Sequence, residues 1–131
     1  MDRVFLDANV LFSAAYREDS GLRALWRLQG VQLVSSGYAV QEAMENLDKR
    51  EQKARLEDLV SSLEVVAEPL SAENLSWAEE LPEKDRPILL AALAAGATHL
   101  LTGDITHFGR FFGRTIGRLQ VLTPRDYLNA K

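Results

Sequence analysis

Short apolar runs alternate along the chain with longer segments in which apolar residues recur every three or four positions. The short runs predict buried strands, because they are rich in Val and Leu and several of them end in turn-forming polar residues. These strands fall at 4–6, 31–34, 64–66, 99–102 and 119–122.

The longer segments predict helices. One follows Gly37 with Val40, Met44 and Leu47 on one face, and a charged hinge at 49–53 separates it from the next helix. Other helices are predicted at 10–16, 22–28, 56–63, 71–81, 88–95 and 105–112, with a short one capped by residues 123–126. This alternation predicts a single α/β domain over residues 1–131, with a mostly parallel sheet of about four or five strands between helices on both faces.

Composition excludes several classes of protein. The chain is 47% hydrophobic and 26% charged, which is typical of a globular domain, and it has no cysteine for a disulfide or a zinc–thiolate site. Its 19 acidic and 15 basic residues give a net charge of −4, which argues against a protein that coats nucleic acid. The acidic start and the shortness of the longest apolar stretch, 88–97, predict a cytoplasmic protein with no membrane partner.

Acidic residues stand where a parallel sheet places its ligands, beyond the carboxyl ends of the strands. Asp7 follows the first strand, Asp104 follows the fourth after one glycine, Asp85 begins the helix before that strand, and Glu42 lies two turns into the helix after the second strand. Converging carboxylates repel one another unless a cation joins them, and oxygen ligands suit Mg²⁺ or Mn²⁺. Such a site is able to support phosphodiester cleavage.

Each acid also has a structural explanation. Asp7 and Asp104 are typical of turns after strands, Asp85 before Arg86-Pro87 is a good helix N-cap, and Glu42 is an ordinary exposed helical acid. Only the four positions together favour the metal hypothesis.

Four blocks give the chain a family resemblance. Residues 4–11, 36–42, 84–89 and 101–104 resemble, in order and spacing, the motifs of PIN-domain ribonucleases, and the similarity extends from residue 4 to about residue 122. The resemblance implies a PIN-like fold and cleavage of RNA that depends on Mg²⁺ or Mn²⁺. Many small members are VapC-like toxins of toxin–antitoxin pairs, so it also implies an antitoxin partner and a homodimer.

The resemblance assigns roles to individual residues. Asp7, Glu42, Asp85 and Asp104 match the acidic quartet that binds the metal and catalyses cleavage, with Glu45 as the alternative to Glu42. Asn9 matches a polar residue that supports the first Asp, and Thr102 matches a hydroxyl residue before the last acid.

The segment after Asp104 departs from the family pattern. Many toxins have another acid there, whereas this chain has Ile105, Thr106 and His107. Loss of an anionic ligand weakens a second metal site. His107 is a candidate for contacting a phosphate or donating a proton, and the alternative is a partly exposed histidine at the start of a short helix.

Two further surfaces are candidates for partners. Arg110, Arg114 and Arg118 recur every four residues and predict an RNA-binding strip, unless they are only a solvated face. Trp26, between Arg23 and Arg27, fits either an interface or the core.

The sequence is also compatible with other functions. A PIN-like domain without catalysis, acting as an RNA- or protein-binding module, is one, and a housekeeping RNA-processing nuclease is another. A receiver-like domain needs a lysine near a late strand, and residues 85–130 contain none. A phosphatase of that type usually has a second Asp two residues after the first, where this chain has Asn9.

Overall fold

Six strands form one sheet in the computed structural model, which describes residues 1–67, 86–103, 115–116 and 118–131. They are β1 (Asp2–Leu6), β2 (Val31–Ser36), β3 (Glu64–Val66), β4 (His99–Leu101), β5 (Thr115–Ile116) and β6 (Leu119–Leu122). Their order is β3-β2-β1-β4-β6-β5, and β5 alone among these is antiparallel to its neighbour. The predicted α/β fold with a mostly parallel sheet is confirmed. The two-residue β5 is too short to show a pattern in the sequence.

Helices flank this sheet. They are α1 (Ala8–Tyr16), a 3-10 helix (Gly21–Arg27), α2 (Gly37–Asn46), α3 (Arg50–Val60), α4 (Arg86–Ala94) and α5 (Pro124–Asn129). The helices predicted at 71–81 and 105–112 lie outside the described residues. Nothing in the described part of the chain forms a helix long and apolar enough to span a lipid bilayer.

One detail of the predicted helices is wrong. The supposed hinge at 49–53 is the first turn of α3, where the Gln52 side chain accepts a hydrogen bond from the Lys49 backbone N–H at 3.1 Å. Charged residues there lie on an exposed helix surface and do not interrupt it.

The predicted face of α2 does pack against the core, since Leu47 is buried and Val40 and Met44 are partly buried. Ala39 and Ala43 are the fully buried side chains of the helix, which packs closely against α1.

The 3-10 helix packs against the core rather than presenting a free aromatic surface. Trp26 is partly buried against the core, and its indole N–H donates a hydrogen bond to the Leu59 carbonyl at 3.0 Å. The interpretation of Trp26 as a core residue is therefore the better one.

The order of the strands determines where a ligand binds. The chain passes from β1 outward to β3 and then returns to the other side of β1 with β4. In open parallel sheets the crevice at such a reversal, beyond the carboxyl ends of the strands, is the usual ligand site. Here the reversal lies between β1 and β4, whose next residues are Asp7 and Thr102.

The opposite edge of the sheet is tied to the C-terminal helix by Asp2. Its carboxylate accepts hydrogen bonds from the Tyr127 hydroxyl at 2.7 Å and the Lys131 ammonium at 3.0 Å, and these lower the pKa of Asp2. Burial and the Asp2 hydrogen bond together raise the pKa of the Tyr127 phenol. The nearby His99 has a lowered pKa because burial outweighs the attraction of Asp2, so this contact at 3.9 Å is not an ion pair at neutral pH.

We expect this anchor to depend on pH at both extremes. Because the pKa of Asp2 is lowered on folding, its carboxylate stabilises the fold above the usual pKa of 3.8, and this stabilisation is lost as the pH falls through the folded pKa. Because the pKa of Tyr127 is raised, its phenol stabilises the fold below the usual pKa of 10, and this stabilisation is lost as the pH rises through the folded pKa. Tyr127→Phe should therefore lower the free energy of unfolding by about 1 kcal/mol near pH 7. Urea denaturation should show this difference shrinking below about pH 4 and above about pH 10. A difference independent of pH would contradict the assignment.

Candidate active site

Polar residues lie in one row across four adjacent strands at the carboxyl ends of those strands. Ser36 is the last residue of β2, and Asp7, Thr102 and Thr123 directly follow β1, β4 and β6. The strand register aligns these four residues when it is extended by two residues between β1 and β2 and by one residue between the other pairs. Ser36, Asp7 and Thr123 also cap α2, α1 and α5, each accepting a hydrogen bond from a backbone N–H in the first turn. The positive ends of α1 and α2 therefore face this edge, which favours anions there.

Asp7 is the centre of this row and is only 5% exposed. Its Oδ1 accepts a hydrogen bond from the Ala8 backbone N–H at 2.7 Å. Its Oδ2 accepts from the Thr102 hydroxyl at 2.7 Å and from the Asn9 side-chain amide at 3.0 Å. These donors stabilise the carboxylate anion and fix its orientation, since hydrogen bonds to a charged group are the stronger ones. A carboxylate that only formed a turn would need one such bond.

Asn9 links the two strands on either side of the chain reversal. Its amide nitrogen donates to Asp7 and, at 3.1 Å, to the Thr102 hydroxyl, while its carbonyl oxygen accepts from the Gly103 backbone N–H at 2.8 Å. The partners fix the orientation of the amide, because the carboxylate accepts and the Gly103 N–H donates. Asn9 thereby holds Gly103 close to Asp7. Both Asn9 and Thr102 contact the Asp7 carboxylate, and the supporting role predicted for them stays a prediction.

The donor chemistry of this edge fits a hard divalent cation. The side-chain groups described next to Asp7 are the Asn9 amide and the Thr102 hydroxyl, so the site offers oxygen ligands and no thiolate. Oxygen ligands favour Mg²⁺ or Mn²⁺ over zinc or copper. Among the described residues, Asp7 is the buried carboxylate at this edge, held by N–H and O–H donors. In the part of the chain that the structure describes, no three acidic or histidine side chains lie close enough to one another to bind one metal ion together.

Glu42 and Glu45 lie exposed on α2, which packs against α1. The Glu45 carboxylate accepts a hydrogen bond from the Gln41 side chain at 3.0 Å. Within the described residues no side-chain hydrogen bond or ion pair holds the Glu42 carboxylate, and only its backbone carbonyl accepts from Asn46. Glu42 is therefore the more available of the two as a ligand.

The sequence matches a known protein family. A family model described as a PIN domain matches residues 3–106. The chain belongs to the PIN-domain family. Members of this family are in general nucleases that use divalent metals. No curated protein matches the chain.

Solved structures match nearly the whole length of this PIN domain. A toxin–antitoxin complex from Klebsiella pneumoniae is 22% identical with a TM-score of 0.66 over 92% of this chain and 97% of the other. VapBC2 from Rickettsia felis, bound to a promoter DNA fragment, is 20% identical with a TM-score of 0.62 over 92% and 98%. VapBC-1 from Haemophilus influenzae is 20% identical with a TM-score of 0.61 over 94% and 98%. At these identities the likeness establishes the fold.

The remaining predicted site residues of this PIN domain are placed only in part. Asp85, Asp104, His107, Arg110 and Arg114 lie outside the described residues. Arg118 is exposed immediately before β6, at the amino end of that strand, whereas Asp7 lies at the carboxyl edge. The RNA-binding strip of three arginines therefore remains a prediction. Arg118, the one of the three that the structure describes, lies toward the amino ends of the strands.

The sequence analysis overlooked a cleft beside Asn9. It has a volume of about 470 Å³ and lies between α1, the 3-10 helix and the start of α5, with Arg125 on its wall. The sequence offered one signal, because Thr123-Pro124-Arg125 follows a predicted strand and so had to reach the same edge as Asp7. The predicted arginine strip consists of Arg110, Arg114 and Arg118 and does not include Arg125.

Proposed function

We propose that this PIN domain is a metal-dependent endoribonuclease that hydrolyses phosphodiester bonds in RNA. The observation that carries the proposal is the Asp7 carboxylate, buried and held by three hydrogen-bond donors at the reversal point of the sheet. Family membership supports nuclease activity in general. The RNA substrate and the choice of Mg²⁺ or Mn²⁺ follow from the motif resemblance and from the oxygen-donor chemistry.

Each residue would have a defined task. Asp7, Glu42, Asp85 and Asp104 would hold the cation, and Asn9 and Thr102 would orient Asp7. When bound, a divalent cation lowers the pKa of a water molecule and neutralises charge on the phosphate. The amino ends of α1 and α2 add positive potential at the same edge. The described part of the chain has no cysteine, and no covalent nucleophile is required for this hydrolysis.

The decisive experiment is a cleavage assay on a labelled single-stranded RNA. We expect cleavage with Mn²⁺ or Mg²⁺, complete loss on chelation, and recovery when the cation is added back in excess. Chelated and restored samples should have the same circular dichroism, which excludes unfolding as the cause. Cleavage that persists in chelator would contradict a metal-dependent reaction, and tight RNA binding without cleavage would favour the binding-module alternative.

A more specific role is the toxin of a toxin–antitoxin pair. The matching structures from Klebsiella, Rickettsia and Haemophilus are toxin–antitoxin or VapBC complexes, and they cover almost this entire chain. We accordingly propose an antitoxin partner, a homodimer and a cytoplasmic location. A short neighbouring gene for a DNA-binding protein, whose coexpression relieves growth arrest, would support this role, whereas expression without any effect on growth would favour housekeeping RNA processing.

A further inference from the structure

The cleft next to Asn9 is continuous with the proposed catalytic edge. Asn9 and Gly103, which are hydrogen-bonded to each other beside Asp7, are part of its lining. Any molecule in the cleft therefore lies against the residue that orients the Asp7 carboxylate. A nucleic acid strand that is cut at Asp7 must continue past the reacting phosphate on one side or the other.

The lining of the cleft is chemically mixed. Leu22 is partly exposed and provides apolar surface, Val10 and Pro124 are buried residues of the wall, and Arg125 is the one charged side chain among the residues described. Arg125 is exposed and makes no hydrogen bond or ion pair with the described part of the chain. An available guanidinium beside an apolar wall suits a ligand with an anionic group and a flat apolar face.

We propose that this cleft is a nucleotide subsite for the RNA strand, next to the scissile phosphate. In it Arg125 binds a backbone phosphate, and the neighbouring base packs on the partly exposed Leu22 side chain. Phosphate contacts fix the position of a strand, and base packing on a side-chain surface adds affinity with little sequence preference. The inference rests on the proposed function, because it assigns part of the RNA path at that site. An RNA strand is favoured over an acidic peptide because the cleft adjoins the carboxylate at which the strand is cut.

Arg125 and Arg50 provide a matched pair of variants. Both are exposed arginines in the first turn of a helix, but Arg50 begins α3 away from the cleft. We expect Arg125→Ala to raise both KM for cleavage and Kd for a labelled single-stranded RNA in chelator about 10-fold. The slope of log Kd against log salt should fall by about 0.7, the value for one phosphate contact on a single strand. Arg125→Lys should retain most of the binding, and Arg50→Ala should resemble the unmodified protein.

A second variant tests the cleft independently of the arginine. Ser13 is exposed on α1 and lines the cleft, so Ser13→Trp should fill the space without disturbing the core. It should also raise KM about 10-fold while leaving the melting temperature unchanged. An unchanged KM would overturn the packing of a base in the cleft.

The outcomes separate this inference from the proposed function. If the unmodified protein cleaves RNA but Arg125→Ala matches Arg50→Ala in KM, Kd and salt slope, the subsite is wrong and the nuclease stands. If Arg125→Ala weakens binding of a labelled hexaglutamate peptide and leaves RNA binding unchanged, the cleft is a protein site and the proposal is overturned. If the unmodified protein neither binds nor cleaves RNA, the proposed function itself fails.

Discussion

Asp7→Asn should reduce RNA cleavage by about a thousandfold or more, because it removes the anionic ligand at the centre of the site. Loss of a residue that only orients a metal ligand typically costs 10- to 100-fold, and loss of one charge-stabilising group costs about 100- to 1,000-fold. The kcat of the purified variant should be measured at saturating Mn²⁺. Activity equal to that of the unmodified protein would contradict the assignment of Asp7.

The substitution also affects folding, which must be separated from catalysis. In the variant, the new amide nitrogen is itself a donor. It faces another donor that had been bonded to the carboxylate, either the Asn9 amide or the Ala8 N–H. One buried donor then lacks an acceptor, which costs about 1–3 kcal/mol of unfolding free energy.

Exchanging the two residues supplies the control. In Asp7→Asn/Asn9→Asp the carboxylate at position 9 is able to accept from the new amide, from Thr102 and from the Gly103 N–H, so most of the stability should return. Activity should not return, because the charge has moved away from the end of β1. Cleavage restored in the double variant would show that the exact position of the anion is unimportant.

Local patterns in the sequence predict much of this architecture. β1 contains three consecutive residues that are fully buried, Val4, Phe5 and Leu6, and a polar turn follows them directly. Gly96, a residue type that commonly ends helices, follows α4 in a left-handed conformation with φ of 69°, and the Gly96 and Ala97 N–H groups donate to the Leu93 and Ala92 carbonyls. Such signals depend on neighbouring residues, which is why a sequence reveals them.

Other features depend on contacts that the sequence does not reveal. The sequence predicts the face of α2 that meets the core, but the spacing between α1 and α2 decides that Ala43 is fully buried and Met44 only partly. The charged start of α3 was taken for a hinge because its stabilising bond, from Lys49 to Gln52, joins uncommon capping residues.

The candidate site shows the same division. Asp7 and Thr102 were identifiable as strand-end residues, and their direct hydrogen bond follows from the register of β1 and β4. The row that continues to Ser36 and Thr123 requires the strand order, which places β6 beside β4. Arg125 joins the site only because β6 is in that position. Long-range topology, and not local pattern, decides which polar strand ends meet.

Glu42→Gln should reduce cleavage about 100-fold, whereas Glu45→Gln should change it less than about threefold. The two acids form a matched pair, since both are exposed on α2 and each substitution removes one charge. Glu45 is bonded to the Gln41 side chain, while the Glu42 carboxylate has no partner among the described residues and is available to a cation.

The dependence on Mn²⁺ identifies the reason for any loss. If Glu42 is a ligand, Glu42→Gln should raise the Mn²⁺ concentration required for half-maximal cleavage, and Glu45→Gln should leave it unchanged. Unfolding free energies should agree within about 0.5 kcal/mol for both variants, because each change is on the helix surface. The reverse pattern would move the assignment to Glu45. Full activity in both variants would show that α2 supplies no ligand and that the other acids hold the cation without it.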